Sequence, residues 1–126
     1  MTGSDLIITA IRSALIQRIY RAVSEAQLQD QISRVLTFEG FEHHREVIAG
    51  SGRYDILVGR IVIELKVKGS ANTVERQAMR YAQMPEVDAV VVVTTSQRLA
   101  ASLTGHTGTA NMLGGKPFHV ITLRTT

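Results

Sequence analysis

The stretch that decides the fold is SGRYDILVGRIVIELKVKGS, residues 51–70. Apolar side chains occupy every second position from Ile61 to Val67, the pattern of a strand with one face in a core. A Gly-Arg pair at 59–60 separates this strand from an earlier apolar run at 53–58, so the two segments are predicted to form a β-hairpin. Two carboxylates and a lysine lie within this most β-prone part of the chain, and their placement needs an explanation.

The remainder of the chain predicts helices before and after this hairpin. A helical period of leucine and isoleucine marks residues 5–21, and a Ser24-x-x-Gln27 capping box begins a second helix that Gly40 ends. The other predicted elements are strands at 41–48, 53–58 and 60–67, a helix from an Asn72 cap to Gln83, a buried strand at 87–94, a helix at 96–103, a glycine-rich loop at 105–115 and a strand at 118–124. This order predicts an α/β fold, with a mixed sheet and helices on its faces.

The composition is that of one globular domain. The chain has 126 residues, of which 44% are hydrophobic, and it contains no cysteine, so disulfides and thiolate metal sites are excluded. A net charge of +3 biases the surface modestly toward polyanions. Because we find neither a run of about 20 apolar residues nor a basic leader, we expect a cytoplasmic location, in the host if a phage encodes the protein, and no membrane partner.

The charged residues of the hairpin form a chemically coherent set. Glu64 and Lys66 share one face of their strand, and Asp55 can lie opposite on the neighbouring strand. Two close carboxylates repel unless a cation lies between them, and oxygen ligands suit Mg²⁺, for which Mn²⁺ can substitute. A lysine beside the metal can orient or activate an attacking water, so the set predicts phosphodiester hydrolysis. The alternative is a solvated hairpin face with a cross-strand ion pair.

Two further features lie near this set. Glu25 follows the cap of the second helix, on the turn that leads into the sheet. Gln77 and Tyr81 are one helical turn apart on the helix directly after the strand that bears Lys66.

With these motifs in this order, the chain resembles the PD-(D/E)xK nuclease superfamily, in particular its RecB-like branch and the small phage and archaeal Holliday-junction resolvases. The resemblance covers residues 24–95, and the α-β-β-β-α-β core of that family, known as the restriction-endonuclease-like fold, matches the predicted order. The N-terminal helix at 5–21 and the C-terminal segment 96–126 are additions within a single nuclease domain. Tyr54 stands where the family's name has proline.

The resemblance implies roles for individual residues. It implies that Glu25, Asp55, Glu64 and the Leu65 carbonyl hold the metal and that Lys66 is catalytic. It places Gln77 near the catalytic lysine or the DNA. The residues expected to contact DNA are Arg53, Lys68, Arg76, Arg80 and Tyr81.

Several other polar residues have competing interpretations. Glu46, on the first strand, is the alternative to Glu25 as third acid. His43 and His44 are adjacent on a strand and face opposite ways, so they cannot chelate one ion together, and we expect a surface role. Asp30 lies about 140° round the helix from Glu25 and is predicted to face solvent. The loop at 105–115 has no Walker spacing, so we expect no nucleotide cofactor.

The substrate follows from the small size of the domain. A domain without a separate specificity module favours structure-selective cleavage of branched DNA, and paired cuts at a junction require a homodimer. The helix at 5–21 either forms that dimer surface or packs on its own sheet. The alternative functions are a nuclease toxin domain acting on cellular DNA or tRNA, and a non-catalytic DNA-binding module of the same fold.

Overall fold

A computed structural model describes residues 3–21, 23–50, 52–107 and 112–126. In chain order the elements are α1 (Gly3–Ile16), β1 (Ile19–Tyr20), α2 (Glu25–Phe38), β2 (His44–Ala49), β3 (Gly52–Val58), β4 (Ile61–Lys66), α3 (Ala71–Ala82), β5 (Ala89–Thr94), α4 (Gln97–Thr107), β6 (Met112–Leu113), β7 (Lys116–Thr122) and β8 (Arg124–Thr125). The predicted mixed α/β architecture is confirmed, and the order α2-β2-β3-β4-α3-β5 is the one predicted for the core.

One mixed sheet organises the domain, with the strand order β2-β3-β4-β5-β7-β6. The predicted hairpin is present, because β3 and β4 pair antiparallel from Val58↔Ile61 to Ile56↔Ile63. β5 lies parallel to both β4 and β7, and every residue of β5 is buried, as expected for a strand covered on both faces. A separate parallel pair joins β1 to β8.

Helices cover the two faces of the sheet and create two apolar clusters. The first cluster joins α1 and α2 to Ile61, Ile63 and Leu65 of β4. The second joins α3 and α4 to Val62 and to alternate residues of β5. The alternation read in β4 therefore separates its two faces as predicted.

The first helix packs on its own chain. It buries Ile8, Ile11, Ala14 and Leu15 in the first cluster, which is one of its two expected placements. It also ends at Ile16, earlier than predicted, because the chain extends into β1, where Tyr20 becomes buried. Among the described residues, no helix is long and apolar enough to cross a bilayer.

Two predicted boundaries need correction. The cap of α3 is Ser70, whose Oγ accepts from the Thr73 amide at 3.3 Å, and Asn72 lies inside the first turn. Ser70 is an equally good capping residue, and Gly69 before it adopts the left-handed φ of 139° that turns the chain into the helix. The predicted strand at 118–124 divides at Leu123, whose amide donates to the Thr94 carbonyl at 2.8 Å.

The other boundaries shift by a few residues. The strand expected from residue 41 begins at His44, since Phe41 instead packs against the first cluster. The helix expected at 96–103 continues to Thr107. Of the glycine-rich loop at 105–115, residues 108–111 lie outside the described part of the chain, and Met112–Leu113 form β6.

Candidate active site

The hairpin ladder stops just before its two carboxylates. The last β3–β4 pair is Ile56↔Ile63, and continuing the register would place Asp55 opposite Glu64 and Tyr54 opposite Leu65. Instead, the Leu65 amide donates to Oδ2 of Asp55 at 2.9 Å, so a side chain accepts the hydrogen bond in place of a strand carbonyl. This hydrogen bond therefore holds the Asp55 carboxylate beside β4.

Glu64 is the most deeply buried charged residue of the site. Its side chain is 3% exposed, and Oε2 lies 3.3 Å from the Lys66 Nζ. Within the part of the chain that the structure describes, Oε1 is buried and has no hydrogen-bond partner. Burial raises the pKa of Glu64 from 4.5 to about 8, with Asp55 and Glu25 adding to the rise and Lys66 opposing it. The alternative of a solvated hairpin face is therefore wrong for Glu64.

Asp55 shares the same environment. Burial raises its pKa above the ordinary value, the Leu65 amide and Lys66 oppose that rise, and Glu25 adds to it. Asp55, Glu64 and Glu25 thus act on one another electrostatically, which means that the sheet and α2 bring the three predicted acids into one region.

Glu25 and Glu46 both line one cleft. This cleft has a volume of about 340 Å³ and is lined by Glu25, Ala26, Gln29, Asp30, Arg45, Glu46, Arg53 and Asp55. Glu25 begins α2, where the helix dipole favours a negative charge. Its carboxylate affects the pKa values of both Asp55 and Glu64, and Glu46 is not among the groups that shift them. This difference favours Glu25 as the third acid.

Glu46 is held by other partners. Its Oε2 accepts from Gln29 at 3.4 Å, and its Oε1 lies 3.6 Å from Arg53. Its φ of 54° is left-handed, which costs a non-glycine residue roughly 1–3 kcal/mol. This φ interrupts the β2–β3 ladder between Arg45↔Ile56 and Val47↔Tyr54.

Gln77 and Tyr81 form a chain of hydrogen bonds rather than an exposed surface. Gln77 Nε2 donates to the Tyr81 hydroxyl at 2.8 Å, and that hydroxyl donates to the Arg53 carbonyl at 2.9 Å. Tyr81 is 2% exposed, and burial, with Glu64 nearby, raises its pKa to about 12. The prediction that Tyr81 contacts DNA is therefore corrected, because its hydroxyl and ring are already engaged inside the protein.

The four basic residues expected to contact DNA all lie at the surface. Arg53 pairs with Glu46, Lys68 follows the end of β4, and Arg76 and Arg80 lie one turn apart on α3. Their contact with DNA stays a prediction. Asp30 is exposed as expected and pairs with Arg45.

The histidine pair forms no joint site. His44 is exposed, whereas His43 is half-buried, with Nε2 2.6 Å from the Ser33 hydroxyl and Nδ1 2.9 Å from the Phe41 carbonyl. His43 therefore links α2 to the segment before β2, which is a structural rather than a surface role.

The carboxylate oxygens of this site are of the kind that bind a divalent cation, although they do not form a preassembled coordination site. Within the described ranges, no three carboxylate or imidazole side chains converge closely enough to form a metal-binding group. The buried, unpartnered Oε1 of Glu64 and the mutual repulsion of the acids are nevertheless the features that a cation would relieve. The Leu65 carbonyl points to the same side of β4 as its amide, which faces Asp55.

Two contributors were missed from the sequence. Gln29 is buried in the cleft, where it accepts from Arg45 Nε at 2.8 Å and donates to Glu46. Its only signal was its position one helical turn after Glu25. Tyr54, which was noted only as a departure from a motif, is 1% exposed and packs edge-on against Tyr81.

The raised pKa of Glu64 predicts a pH-dependent stability in the absence of divalent cations. In the unfolded chain the carboxyl ionises near pH 4.5, whereas in the folded protein it holds its proton to about pH 8. The free energy of unfolding should therefore fall by up to roughly 5 kcal/mol as the pH rises through this window. Urea denaturation in EDTA at several pH values measures the fall, and the isosteric Glu64→Gln variant should lack it. Parallel pH profiles for the two proteins would contradict the assignment.

Comparisons with known proteins add nothing to this geometry: no family model, no curated protein and no solved structure matches the chain.

Proposed function

We propose that this protein is a Mg²⁺-dependent DNA endonuclease that hydrolyses phosphodiester bonds, with Mn²⁺ able to substitute. The observation that carries the proposal is the carboxylate pair where the β3–β4 ladder ends, with Glu64 buried and Asp55 half-buried. Asp55 is oriented by the Leu65 amide, and Glu64 has one oxygen on Lys66 and one without a partner among the described residues. An unsatisfied buried oxygen costs stability, so its retention favours a functional role.

The residues of the site divide the work of hydrolysis. Bound Mg²⁺ would supply a Lewis acid that polarises the phosphodiester and favours ionised water. Asp55 and Glu64 would hold the ion, the Leu65 carbonyl would add a neutral ligand, and Glu25 would add negative charge from α2. Lys66, whose side chain is 19% exposed and contacts Glu64, can orient the attacking water and neutralise charge that develops on the phosphate.

Branched DNA is the substrate that we propose. Four exposed basic side chains suit contacts with the phosphate backbone: Arg53, Lys68, Arg76 and Arg80. Contacts of this kind do not depend on the base sequence of the DNA. Such binding releases counterions, so the affinity should fall steeply as salt increases.

The proposal includes a symmetric homodimer. Two coordinated cuts at a junction need two active sites related by a twofold axis. Leu6, Ile7 and Ile16 of α1 remain exposed after the other face of this helix has packed on the sheet. An apolar, outward-facing helix of this kind is compatible with a subunit contact.

Incubation with labelled nucleic acids tests both activity and substrate. Four-way junction, flap, nicked duplex, linear duplex, single-stranded DNA and tRNA are compared in Mg²⁺, Mn²⁺ and EDTA. We expect cleavage only with a divalent cation, faster on the junction than on a linear duplex of equal length, and at two symmetry-related positions. Light scattering of the free protein should give the mass of a dimer.

The other outcomes separate the alternatives. Faster degradation of linear ends by a monomer would remove the junction specificity and keep the chemistry. Cleavage of tRNA alone would favour a toxin-like nuclease. Salt-dependent DNA binding without cleavage in either metal would leave a binding module and overturn the proposed activity.

A further inference from the structure

The alternation of β3 side chains between the two faces of the sheet is broken at Asp55. Tyr54 belongs to the apolar cluster beneath α3 and α4, whereas Ile56, two residues later, belongs to the cluster beneath α1 and α2. Residues two apart in a regular strand face the same side, so the strand must twist sharply between these positions. Asp55 lies at that twist.

The contacts of the preceding two residues lie on the α3 side of the sheet, and they act beside the left-handed φ of Glu46, which lies opposite Asp55 in the β2–β3 register. The Tyr81 hydroxyl, which receives a hydrogen bond from Gln77, donates its own proton to the Arg53 carbonyl at 2.9 Å. The rings of Tyr54 and Tyr81 are 5.0 Å apart at 88°, an edge-to-face contact. The Tyr54 hydroxyl also donates to Glu86 at 3.1 Å. These contacts hold residues 53 and 54 toward α3.

The same contacts determine what the Leu65 amide can reach. A continued ladder would bring Tyr54 opposite Leu65, yet the pairing stops two residue pairs earlier, at Ile56↔Ile63, and the amide donates to Asp55 instead. We propose that Tyr81 is a positioning residue. By holding the Arg53 carbonyl and the Tyr54 ring, it prevents residues 53 and 54 of β3 from pairing with β4. The Leu65 amide is then free to donate to the Asp55 carboxylate and orient it. The orientation of Asp55 by the Leu65 amide does not depend on the proposed nuclease function, whereas an effect of Tyr81 on turnover does.

Tyr81→Phe tests this role with little disturbance, because it removes one oxygen and keeps the ring. Tyr20→Phe is a matched control, since the Tyr20 hydroxyl is equally buried and donates to the Leu15 carbonyl at 2.7 Å, in the other cluster. The first measurement is the amide proton shift of Leu65 by nuclear magnetic resonance. We expect it to move upfield in Tyr81→Phe and to stay in place in Tyr20→Phe, although each variant loses a hydrogen bond from a tyrosine hydroxyl to a backbone carbonyl.

Cleavage kinetics give a second measurement. In Tyr81→Phe, kcat should fall roughly 10- to 100-fold with KM unchanged, as expected when a reacting group is misplaced and DNA contacts persist. Tyr20→Phe should keep both constants. If the parent protein cleaves no nucleic acid, the proposed function fails, and the Leu65 shift still decides the positioning role.

Gln77→Met provides a second variant in case Tyr81→Phe does not fold. It removes the donor to the Tyr81 hydroxyl at a half-buried position and should move the Leu65 amide in the same direction by a smaller amount. An unchanged Leu65 shift in Tyr81→Phe, or in Gln77→Met if only that variant folds, would overturn the proposal.

Discussion

Cleavage should be lost, by at least roughly 1,000-fold, when Asp55 or Glu64 is replaced by alanine, while the fold persists. Both carboxylates lie at the end of the β3–β4 ladder, where Asp55 adds to the raised pKa of Glu64 and where Glu64 has an oxygen without a partner among the described residues. Without either ligand, the site loses the charge that would hold a divalent cation near the scissile phosphate.

Stability should respond differently at the two positions. Glu64→Gln keeps the volume and removes a carboxyl that is ionised in the unfolded chain but must take up a proton in the folded protein below about pH 8, so thermal stability without metal should rise at neutral pH. Asp55→Ala removes a group that raises the pKa of Glu64, but it also removes the acceptor of the Leu65 amide, which costs about 1–3 kcal/mol if the amide stays buried. Thermal unfolding in EDTA, measured beside the cleavage assay, separates loss of chemistry from loss of fold.

The same assay ranks the third acid. Glu25→Gln should reduce cleavage far more than Glu46→Gln, because Glu25, unlike Glu46, raises the pKa values of both central carboxylates. Glu42→Gln, at an exposed carboxylate, is the matched control and should leave the rate unchanged.

Near-normal cleavage by Asp55→Ala or Glu64→Ala in Mg²⁺ would show that the site is wrongly assigned.

The second large effect is expected at Lys66. Lys66→Ala should retain binding of Mn²⁺ and of DNA but lose turnover by roughly 100- to 10,000-fold, the range attributed to a positioned group that assists proton transfer. Its Nζ lies 3.3 Å from Glu64, so its removal takes away a positive charge that repels a cation and should not weaken a cation's binding.

Calorimetric titration with Mn²⁺ and single-turnover cleavage at saturating metal distinguish these effects. Lys68→Ala, an exposed lysine two residues farther on, is the matched control for lost positive charge. It should weaken DNA binding modestly and reduce its salt dependence, with the cleavage rate of bound DNA unchanged. If Lys66→Ala instead loses metal affinity and keeps its turnover at saturating metal, the roles assigned to Lys66 and the carboxylates are reversed.

The predictable parts of the structure depend on neighbours in sequence. The Ser24 cap is present as predicted, with its Oγ accepting from the Gln27 amide at 3.2 Å, and the hairpin turns at residues 59–60. The two-residue period of β4 separates its two faces. The α3 cap was placed wrongly because Ser70 and Asn72 are both good capping residues, and local preference does not choose between them.

Sequence alone thus determined the order of the four helices and the five longer strands, the hairpin and the strand positions of Asp55, Glu64 and Lys66, because periodicity and turn residues act over a few neighbouring positions. The tertiary structure decided the burial of Glu64, the broken alternation of β3 side chains at Asp55 and the hydrogen bonds of Tyr81 inside the protein. Each of these depends on contacts between segments far apart in the chain, such as Arg53 with Tyr81 and Glu25 with Asp55. Their physical causes, desolvation and the competition of a side chain with a strand ladder, arise only when those segments pack together.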